Sequence, residues 1–166
     1  QDIGVEKITG HEQIKNTIYV DQSSIGKTPR SCPATFVSVF DKIRLLYAGT
    51  TEAKYLGFTN SHFSFNSEKG ACPACNGYGY KKIELQFLPD TYVPCELCQG
   101  KRYKPEILAI TWRGKTISQI LDMYIYEALD FFHEMDHIKQ ELELMVEIGL
   151  GYLKMGQPAH TLSGGE

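Results

Sequence analysis

The sequence predicts an α+β fold, in which amphipathic helices accompany a small hairpin module that carries cysteines. The 166 residues are 42% apolar and 22% charged, which is typical of a folded domain and excludes wholesale disorder. Apolar residues recur at three- and four-residue steps in several stretches, and short alternating runs separate those stretches. Two Cys-x2-Cys pairs lie near the middle of the chain. Together these observations predict helices, short strands and one compact cysteine module.

The first part of the chain predicts a strand, a loop and a helix. Residues 16–21 are rich in β-forming residues and predict a short buried strand. Ser, Gly and Pro interrupt any period between residues 22 and 30, which predicts a loop. Pro33 suits the first turn of a helix that Gly49 would end. One face of this helix would be lined by Phe36, Val39, Phe40, Ile43 and Leu46.

Two strands are predicted in the middle of the chain. A Gly-, Ser- and Asn-rich loop at residues 57–70 precedes them. A half-buried strand is indicated where Ile83, Leu85 and Phe87 alternate with polar residues. Residues 107–112 predict the second strand.

Three helices are predicted after the strands. Thr116 can cap a short helix that contains Ile117, Ile120 and Leu121. The other two helices cover residues 127–133 and 137–148. The last of them carries an apolar stripe formed by Leu142, Met145 and Val146. It ends at Gly149, where a C-cap glycine is expected.

Composition excludes several classes of protein. No apolar run is long enough to span a membrane, and the N-terminus lacks the basic and apolar regions of a secretory signal. Five cysteines, an odd number, fit a disulfide framework badly, so we expect a reducing, cytoplasmic environment. Because the chain begins with Gln1 rather than Met, we expect it to be an excised or processed piece.

Charge is distributed unevenly along the chain. Residues 69–115 carry eight basic and four acidic side chains, a net charge of +4, whereas residues 116–166 carry two basic and nine acidic side chains, a net charge of −7. This asymmetry indicates two different roles for the two regions, or solvated surfaces of both signs. The basic residues near the cysteines are Lys69, Lys81, Lys82, Lys101, Arg102 and Lys104.

Four cysteines predict a structural zinc site. Cys72 and Cys75 form one pair, nineteen residues separate them from Cys95 and Cys98, and this excursion suits a hairpin. Each pair can supply two thiolates to one tetrahedral ion, and a glycine two residues after each pair permits a tight turn. Four thiolates fill the coordination shell of zinc and leave no open position for a substrate. Nearby cations could offset their negative charge or face a polyanion. Two disulfides, or four inert buried thiols, are the alternatives.

Other potential ligands have simpler interpretations. Cys32 lies far from the pairs, between Ser31 and Pro33, and is interpreted as a small apolar residue at a helix start. The alternative, a reactive thiol, has no nearby His to support it. His133 and His137 are four residues apart on a predicted helix, but no third ligand is evident, so we interpret them as surface residues.

The last five residues, Leu162-Ser163-Gly164-Gly165-Glu166, form a short motif with a physical role. A serine hydroxyl and glycine amides before a helix can bind an anion such as phosphate, although such a run also occurs in ordinary loops. The same five residues are the signature motif of ATP-binding-cassette (ABC) ATPases. In that family the motif contacts the γ-phosphate of a nucleotide held by the opposing ATPase unit.

Further motifs occur in order along nearly the whole chain. They are residues 21–31 (Asp-Gln-Ser-Ser-Ile-Gly-Lys-Thr-Pro-Arg-Ser), 63–66 (Phe-Ser-Phe-Asn), 87–90 (Phe-Leu-Pro-Asp), Cys95 with 100–103 (Gly-Lys-Arg-Tyr), and 156–158 (Gly-Gln-Pro) before the signature. Together with the signature they resemble the UvrA family, the damage-sensing ATPase subunits of bacterial nucleotide excision repair. The resemblance corresponds to the second of the family's two ATPase halves, between the Walker A loop and the Walker B strand.

The resemblance implies a role for each motif. Gln22 would be the Q-loop glutamine that couples nucleotide state to the inserted domain, and Ser163, Gly164, Gly165 and Glu166 would contact ATP. The four cysteines would hold structural Zn²⁺. Cationic side chains would face damaged double-stranded DNA and bind its phosphates without sequence preference. The residues concerned are Lys27, Arg30, Lys81, Lys82, Lys101 and Arg102.

The resemblance also implies an organisation and a set of partners. The fold would be part of an ABC-ATPase head with a helical signature domain that carries the zinc hairpin. ATP and Mg²⁺ would bind only in the full-length parent, whose partners would be the other ATPase half, a second copy and a UvrB-type helicase subunit, with no membrane contact. The implied regions are 1–31 (end of a core strand and the Q-loop), 32–68 (a helical lead-in), 69–115 (the zinc hairpin module) and 116–166 (the helical signature domain).

The sequence departs from the family pattern at a few positions. Cys32 stands where Asn is usual, and Pro105 and Ile107 also differ. Tyr124 replaces a helix-capping Thr, which we expect to cost the helix about 1 kcal/mol. The 166 residues contain neither a G-x-x-x-x-G-K-[ST] loop nor a Walker B carboxylate, so we expect the parent, but not this chain, to hydrolyse ATP.

Two other classes of protein compete with this interpretation. A stand-alone zinc-ribbon-like module, such as a chaperone-type cysteine-rich domain, would explain the Cys pairs but not the Gln22 loop or the signature. A transport-type ABC ATPase would explain the signature, but a four-cysteine insertion is foreign to ordinary transporters. At the hairpin, Phe87 or Tyr92 could probe unstacked bases, although core packing is the simpler role for Phe87.

Overall fold

The computed structural model describes residues 9–18, 30–83 and 91–163. Helices and two small antiparallel hairpins make up this part of the chain, so the predicted α+β class is confirmed. The helices are α1 (Pro33–Phe36), α2 (Val39–Ala48), α3 (Thr51–Tyr55), α4 (Pro105–Leu108), α5 (Ile117–Asp122), α6 (Ile125–Phe131) and α7 (Asp136–Glu147). The strands are β1 (Tyr80–Ile83), β2 (Thr91–Pro94), β3 (Thr111–Trp112) and β4 (Lys115–Thr116), and 3₁₀ turns cover His11–Gln13 and Ala159–Thr161.

The main apolar core lies between α2 and the helices of the second half. Helices α6 and α7 pack on each other, and α2 packs on α7. Burying these apolar faces removes them from water, which is the largest favourable contribution to folding. Fully buried side chains from the four principal helices are Ile43, Tyr47, Ile117, Ile120, Ile125, Ile138 and Leu142.

The helix predicted after Pro33 is in fact two helices. Ser38 has a φ of 60°, a left-handed conformation that a right-handed helix cannot contain, so α1 ends before it and α2 begins after it. The break turns Phe36 outward, where it is 77% exposed, and the prediction that Phe36 lines the apolar face is wrong. Gly49 ends α2 as predicted.

The predicted strand over residues 107–112 is largely wrong. Pro105 occupies the first turn of α4, where its missing N–H costs nothing, and the helix buries Ile107. Only Thr111 and Trp112 form a strand, which pairs with β4 across a turn at Arg113 and Gly114. An apolar run of this length fits a buried helix turn as well as a strand, which explains the error.

The predicted helices of the second half are confirmed with small shifts of their ends. Thr116 Oγ1 accepts the N–H of Gln119 at 3.2 Å, and Gln119 Oε1 accepts the N–H of Thr116 at 2.8 Å, which forms a capping box. Helix α6 begins two residues earlier than predicted, and its N-cap residue Tyr124 makes no side-chain cap hydrogen bond. Gly149, with a φ of 87°, follows α7 as the sequence predicts.

Two strand predictions reach beyond the described residues. Of residues 16–21, only 16–18 are described, and these are not in a strand. Of the run from Ile83 to Phe87, only Ile83 is described; it closes β1 and is 44% exposed. Within the described part of the chain, no helix is both long and apolar enough to cross a bilayer.

Candidate metal centre

The β1–β2 hairpin brings the two cysteine pairs together. Cys72 and Cys75 lie just before β1, and Cys95 and Cys98 lie just after β2. The strands are antiparallel with Tyr80 opposite Pro94, so the chain segments before and after them end at the same place. The N–H of Cys95 donates to the Gly79 carbonyl at 2.9 Å, and the N–H of Cys72 donates to the Arg102 carbonyl at 2.8 Å.

A glycine follows each pair in the left-handed conformation that the sequence predicts. Gly77 has a φ of 80° and Gly100 a φ of 84°. At Gly77 a Cβ atom would lie 1.8 Å from the Phe65 carbonyl oxygen, so a side chain there would displace the backbone at Phe65, which packs against this turn. Both turns therefore depend on residues that tolerate positive φ.

The four sulfur atoms have the spacing of a tetrahedral metal site. All four Sγ atoms lie within 4.8 Å of one another, and all four residues are buried. The Sγ atoms of Cys72 and Cys95 are 3.9 Å apart, and those of Cys75 and Cys98 are 3.7 Å apart. Zn–S bonds of about 2.3 Å in a tetrahedron give an S–S separation of about 3.8 Å. The residues present therefore fit Zn²⁺.

The same distances exclude the disulfide alternative for this arrangement. A disulfide requires an S–S bond of about 2.05 Å, far shorter than either separation. All five cysteines of the chain are free thiols. The four clustered cysteines are also the one group of three or more potential ligands found in the described residues.

Burial and backbone hydrogen bonds set the acidity of the thiols. Burial raises the pKa of Cys75 to about 12, although the N–H of Gly79 donates to its Sγ at 3.2 Å and opposes the rise. Burial likewise raises the pKa of Cys98. At Cys95 the N–H groups of Cys98 and Leu97, with the neighbouring thiols, outweigh burial and lower the pKa to about 7. Because zinc binds thiolates, a bound ion would displace the remaining protons.

The cations predicted to face DNA lie in different surroundings. Lys81, Lys82 and Lys101 are exposed around the hairpin. The Arg30 guanidinium stacks over the Tyr78 ring at 5.1 Å and, with Lys104, lines a polar cleft of about 550 Å³ beside Cys72. Arg102 differs from the others, because its guanidinium donates to the Gly156 carbonyl at 2.8 Å. Lys27 lies outside the described residues.

The predicted nucleotide-contacting residues are only partly described. Ser163 is exposed at the end of the described part, after the 3₁₀ turn Ala159–Thr161. Gln22, Gly164, Gly165 and Glu166 lie outside it.

The remaining candidate ligands match their simpler interpretations. Cys32 is buried at the N-cap of α1, and its backbone N–H donates to Thr35 Oγ1 at 2.9 Å. His133 and His137 are exposed on the surface near the start of α7. Within the described residues they belong to no group of three potential ligands.

A cluster of three aromatic rings joins the hairpin to the segment before the signature, and the sequence did not reveal it. The rings of Tyr80 and Tyr92 are 5.1 Å apart, and the His160 ring lies 6.0 Å from Tyr80 and 5.7 Å from Tyr92. The residues are far apart in sequence, so no local spacing marks the contact. Tyr92, considered above as a probe of bases, packs within this cluster on one side and is 50% exposed.

Comparison with known proteins gives close relatives over nearly the whole chain. The chain is 55% identical over 161 residues to UvrABC system protein A of Halalkalibacterium halodurans and of Thermus thermophilus, which is 97% of this chain and 17% of each relative. It is 55% identical over 160 residues to the Mycobacterium leprae protein of the same name, covering 96% of this chain and 16% of that protein. No protein-family model matches the chain.

A solved structure agrees with the sequence comparison. The crystal structure of UvrA2 from Deinococcus radiodurans superimposes with a TM-score of 0.84 at 48% identity, covering 89% of this chain and 18% of that one. The chain spans about a sixth of the length of the curated relatives that it matches. By sequence and by fold, the chain therefore corresponds to a region of UvrA.

Proposed function

We propose that this chain is the DNA-binding, zinc-containing insertion and signature region of a UvrA-type ABC ATPase that recognises damaged DNA in nucleotide excision repair. The observation that carries the proposal is the 55% identity to UvrABC system protein A over 97% of the chain. An identity that extends through all elements supports one integrated region. A stand-alone zinc-ribbon-like module would account for the cysteines only.

Structural Zn²⁺ is the proposed cofactor of the four-thiol cluster. The tetrahedral sulfur spacing and the burial of all four cysteines support this choice. Since four sulfurs complete the coordination shell, the ion has no position for substrate and acts by fixing the hairpin. Free thiols throughout the chain also support a reducing, cytoplasmic location.

The proposed DNA surface consists of the exposed cations around the hairpin and the Arg30 cleft. Contacts to phosphate supply affinity without reading sequence, which suits a protein that acts on any damaged duplex and senses its deformability. Arg102 is left out of this surface, because its guanidinium is directed to Gly156 and to the Phe65 ring. The proposed contacts are Lys27, Arg30, Lys81, Lys82 and Lys101.

The complete protein would supply the nucleotide chemistry. We assign Gln22, Ser163, Gly164, Gly165 and Glu166 to ATP, with Mg²⁺ held by residues outside this chain. The remaining partners proposed for the parent are its other ATPase half, a second copy and a UvrB-type subunit. The identity of the chain to UvrABC system protein A supports each of these assignments.

The salt dependence of DNA binding tests the proposed surface. In the complete protein that carries this chain, Lys81→Glu and Lys101→Glu should each weaken binding to damaged duplex. Each should also reduce the slope of log K against log salt by about 0.9 for every phosphate contact that is lost. The measurement is fluorescence anisotropy of a labelled lesion-containing duplex across a salt series.

Lys54→Glu is the matched control, because Lys54 is also an exposed lysine and lies on α3, outside the hairpin. It changes the net charge equally and should leave the salt slope unchanged. An equal effect of all three reversals would indicate nonspecific charge, and no effect of Lys81→Glu and Lys101→Glu would remove the hairpin from the DNA surface.

A further inference from the structure

The two cysteine turns repeat the same backbone conformation. Asn76 and Gln99, each the first residue after a pair, both have a φ of 50°. Three residues after each pair, the N–H of Tyr78 donates to the Cys75 carbonyl at 3.0 Å, and the N–H of Lys101 donates to the Cys98 carbonyl at 2.9 Å. The second turn is therefore a structural copy of the first.

The copy carries an unexpected residue at its fourth position. Gly79 has a φ of 81°, and the equivalent residue of the second turn, Arg102, has a φ of 71°. Glycine adopts this conformation freely, whereas a residue with a Cβ pays about 1–2 kcal/mol for it. Arginine at this position is therefore retained against a backbone cost, which indicates that its side chain performs a specific task.

The Arg102 side chain reaches the segment that leads to the signature. Its Nη2 donates to the Gly156 carbonyl at 2.8 Å, and its guanidinium lies 5.0 Å from the centre of the Phe65 ring. Gly156 is tightly held on its other side, because its N–H donates to the Leu121 carbonyl at 2.7 Å and a Cβ there would lie 2.9 Å from Leu121. The guanidinium therefore binds a fixed point of the segment, seven residues before Ser163.

The Arg102 backbone belongs to the metal centre. Its carbonyl accepts the N–H of Cys72 at 2.8 Å, and its own N–H forms a hydrogen bond with the Cys98 thiol. One residue thus joins both cysteine pairs to the segment before the signature. The ring cluster of Tyr80, Tyr92 and His160 provides a second contact between the same two parts.

We propose that Arg102 is a positioning residue through which the metal-bound cysteine turns hold residues 153–163, and with them the start of the signature, in place. The proposal rests on the metal site proposed above. When zinc fixes the turns, the guanidinium is held at the Gly156 carbonyl. When the turns loosen, this hydrogen bond is lost, and the segment opens more readily although the N–H of Gly156 still donates to the Leu121 carbonyl. The presence of the metal thereby determines how firmly the segment before the signature is held.

Hydrogen exchange in the complete protein tests this role without relying on activity. Removing zinc with a chelator should speed exchange in residues 153–163 of the unaltered protein by about tenfold, as expected for one lost charge-assisted hydrogen bond. In Arg102→Met this segment should already exchange about tenfold faster with zinc bound, and chelation should add little. Arg102→Lys, which keeps a donor, should restore part of the protection.

Two further variants separate positioning from misfolding. Arg102→Gly suits the local φ and keeps the backbone hydrogen bonds, so it should bind zinc normally and still show fast exchange in residues 153–163. Lys54→Met, at an exposed position of α3 outside the hairpin, should show the zinc content and the exchange of the unaltered protein. Zinc content, measured by elemental analysis of each sample, accompanies every exchange experiment.

The outcomes distinguish this proposal from the metal proposal. Absence of zinc from the unaltered protein would overturn both. Zinc present, with residues 153–163 equally protected in Arg102→Gly and in the unaltered protein, would overturn the role of Arg102 alone. Equal deprotection by chelation in all variants would have the same consequence, because the segment would then respond to the metal by another route.

Discussion

At the scale of single residues, the metal centre depends on how the backbone presents four sulfurs. Each Cys-x2-Cys turn directs two thiols to one point, and the left-handed residues that follow fold the chain back toward the hairpin. N–H groups of the turns point at the sulfurs and stabilise their charge, as at Cys75 and Cys95. A metal ion bound at this point would offset the charge of four buried thiolates that these N–H groups only partly stabilise.

Removing one thiol should remove the metal. We expect Cys95→Ser to lower the zinc content of the protein by one ion, because three thiolates and a hydroxyl bind zinc far more weakly than four thiolates. Elemental analysis after gel filtration measures the loss. Cys32→Ser is the matched control, since Cys32 is equally buried but lies outside the cluster, and it should retain the full complement. Equal zinc content in both variants would contradict the assignment of the site.

At the scale of elements, an ion pair fastens α2 to α7. Lys42 Nζ donates to the Glu141 carboxylate and to the carbonyl of His137. The hydrogen bond from Lys42 holds the pKa of Glu141 below its ordinary value. Because both side chains are about one-third exposed, water screens their attraction.

This pair should contribute pH-dependent stability. A carboxyl with a depressed pKa in the folded state stabilises the fold above its unfolded pKa of about 4.3, and the contribution disappears as pH falls through the lower folded value. We expect Glu141→Gln to lower the free energy of unfolding by at most about 1 kcal/mol at pH 7. The difference should start to shrink as pH falls below about 4.3 and vanish once pH is below the lowered pKa of Glu141. Urea unfolding of both proteins across this range measures it.

Lys42→Met provides the reciprocal control for this pair. It removes the same interaction from the other side and should abolish the pH dependence that Glu141 contributes. A difference between Glu141→Gln and the unaltered protein that persists unchanged at acid pH would show that packing, not the ion pair, is responsible.

At the scale of the whole molecule, the described chain has two separate buried groups. One is the apolar core of the helices, and the other consists of the four cysteines alone. Tyr103 and Phe65 lie where the two approach, and the Tyr103 hydroxyl donates to the Phe63 carbonyl at 3.0 Å. Stability of the helical core and metal binding should therefore respond to different substitutions.

A core substitution should separate these two properties. Leu142 is fully buried in α7, and Leu142→Ala should destabilise the helical core by about 2–5 kcal/mol through lost apolar burial and the cavity that remains. Trp112 is the sole tryptophan of the chain, and its ring stacks on the Phe132 ring with the centroids 5.6 Å apart. Its fluorescence therefore reports unfolding of this core. Zinc content of the folded variant should stay unchanged; a parallel loss of zinc would show that the two groups form one cooperative unit.

The limits of prediction follow from the range of each interaction. The Thr116 cap, the Gly149 helix end and the four-thiol site were predicted, because each depends on residues close in sequence or on a fixed spacing of ligands. The end of α4 falls within the strand predicted over residues 107–112, and that prediction fails because so short an apolar run has no clear period. The outward turn of Phe36 was missed, because nothing local indicates that Ser38 adopts positive φ.

The sequence by itself determined the class of fold, the sulfur ligands and the resemblance to UvrA. Ligand spacing, helix caps and long motifs can be recognised in a sequence because each depends on residues that are close together or at a fixed spacing. Only the tertiary structure decided which cations face outward and which face inward. Arg102 looked like its lysine neighbours in the sequence, yet it bonds a carbonyl 54 residues away. Such a contact depends on how distant segments pack, and packing is a property of the whole chain rather than of any window within it.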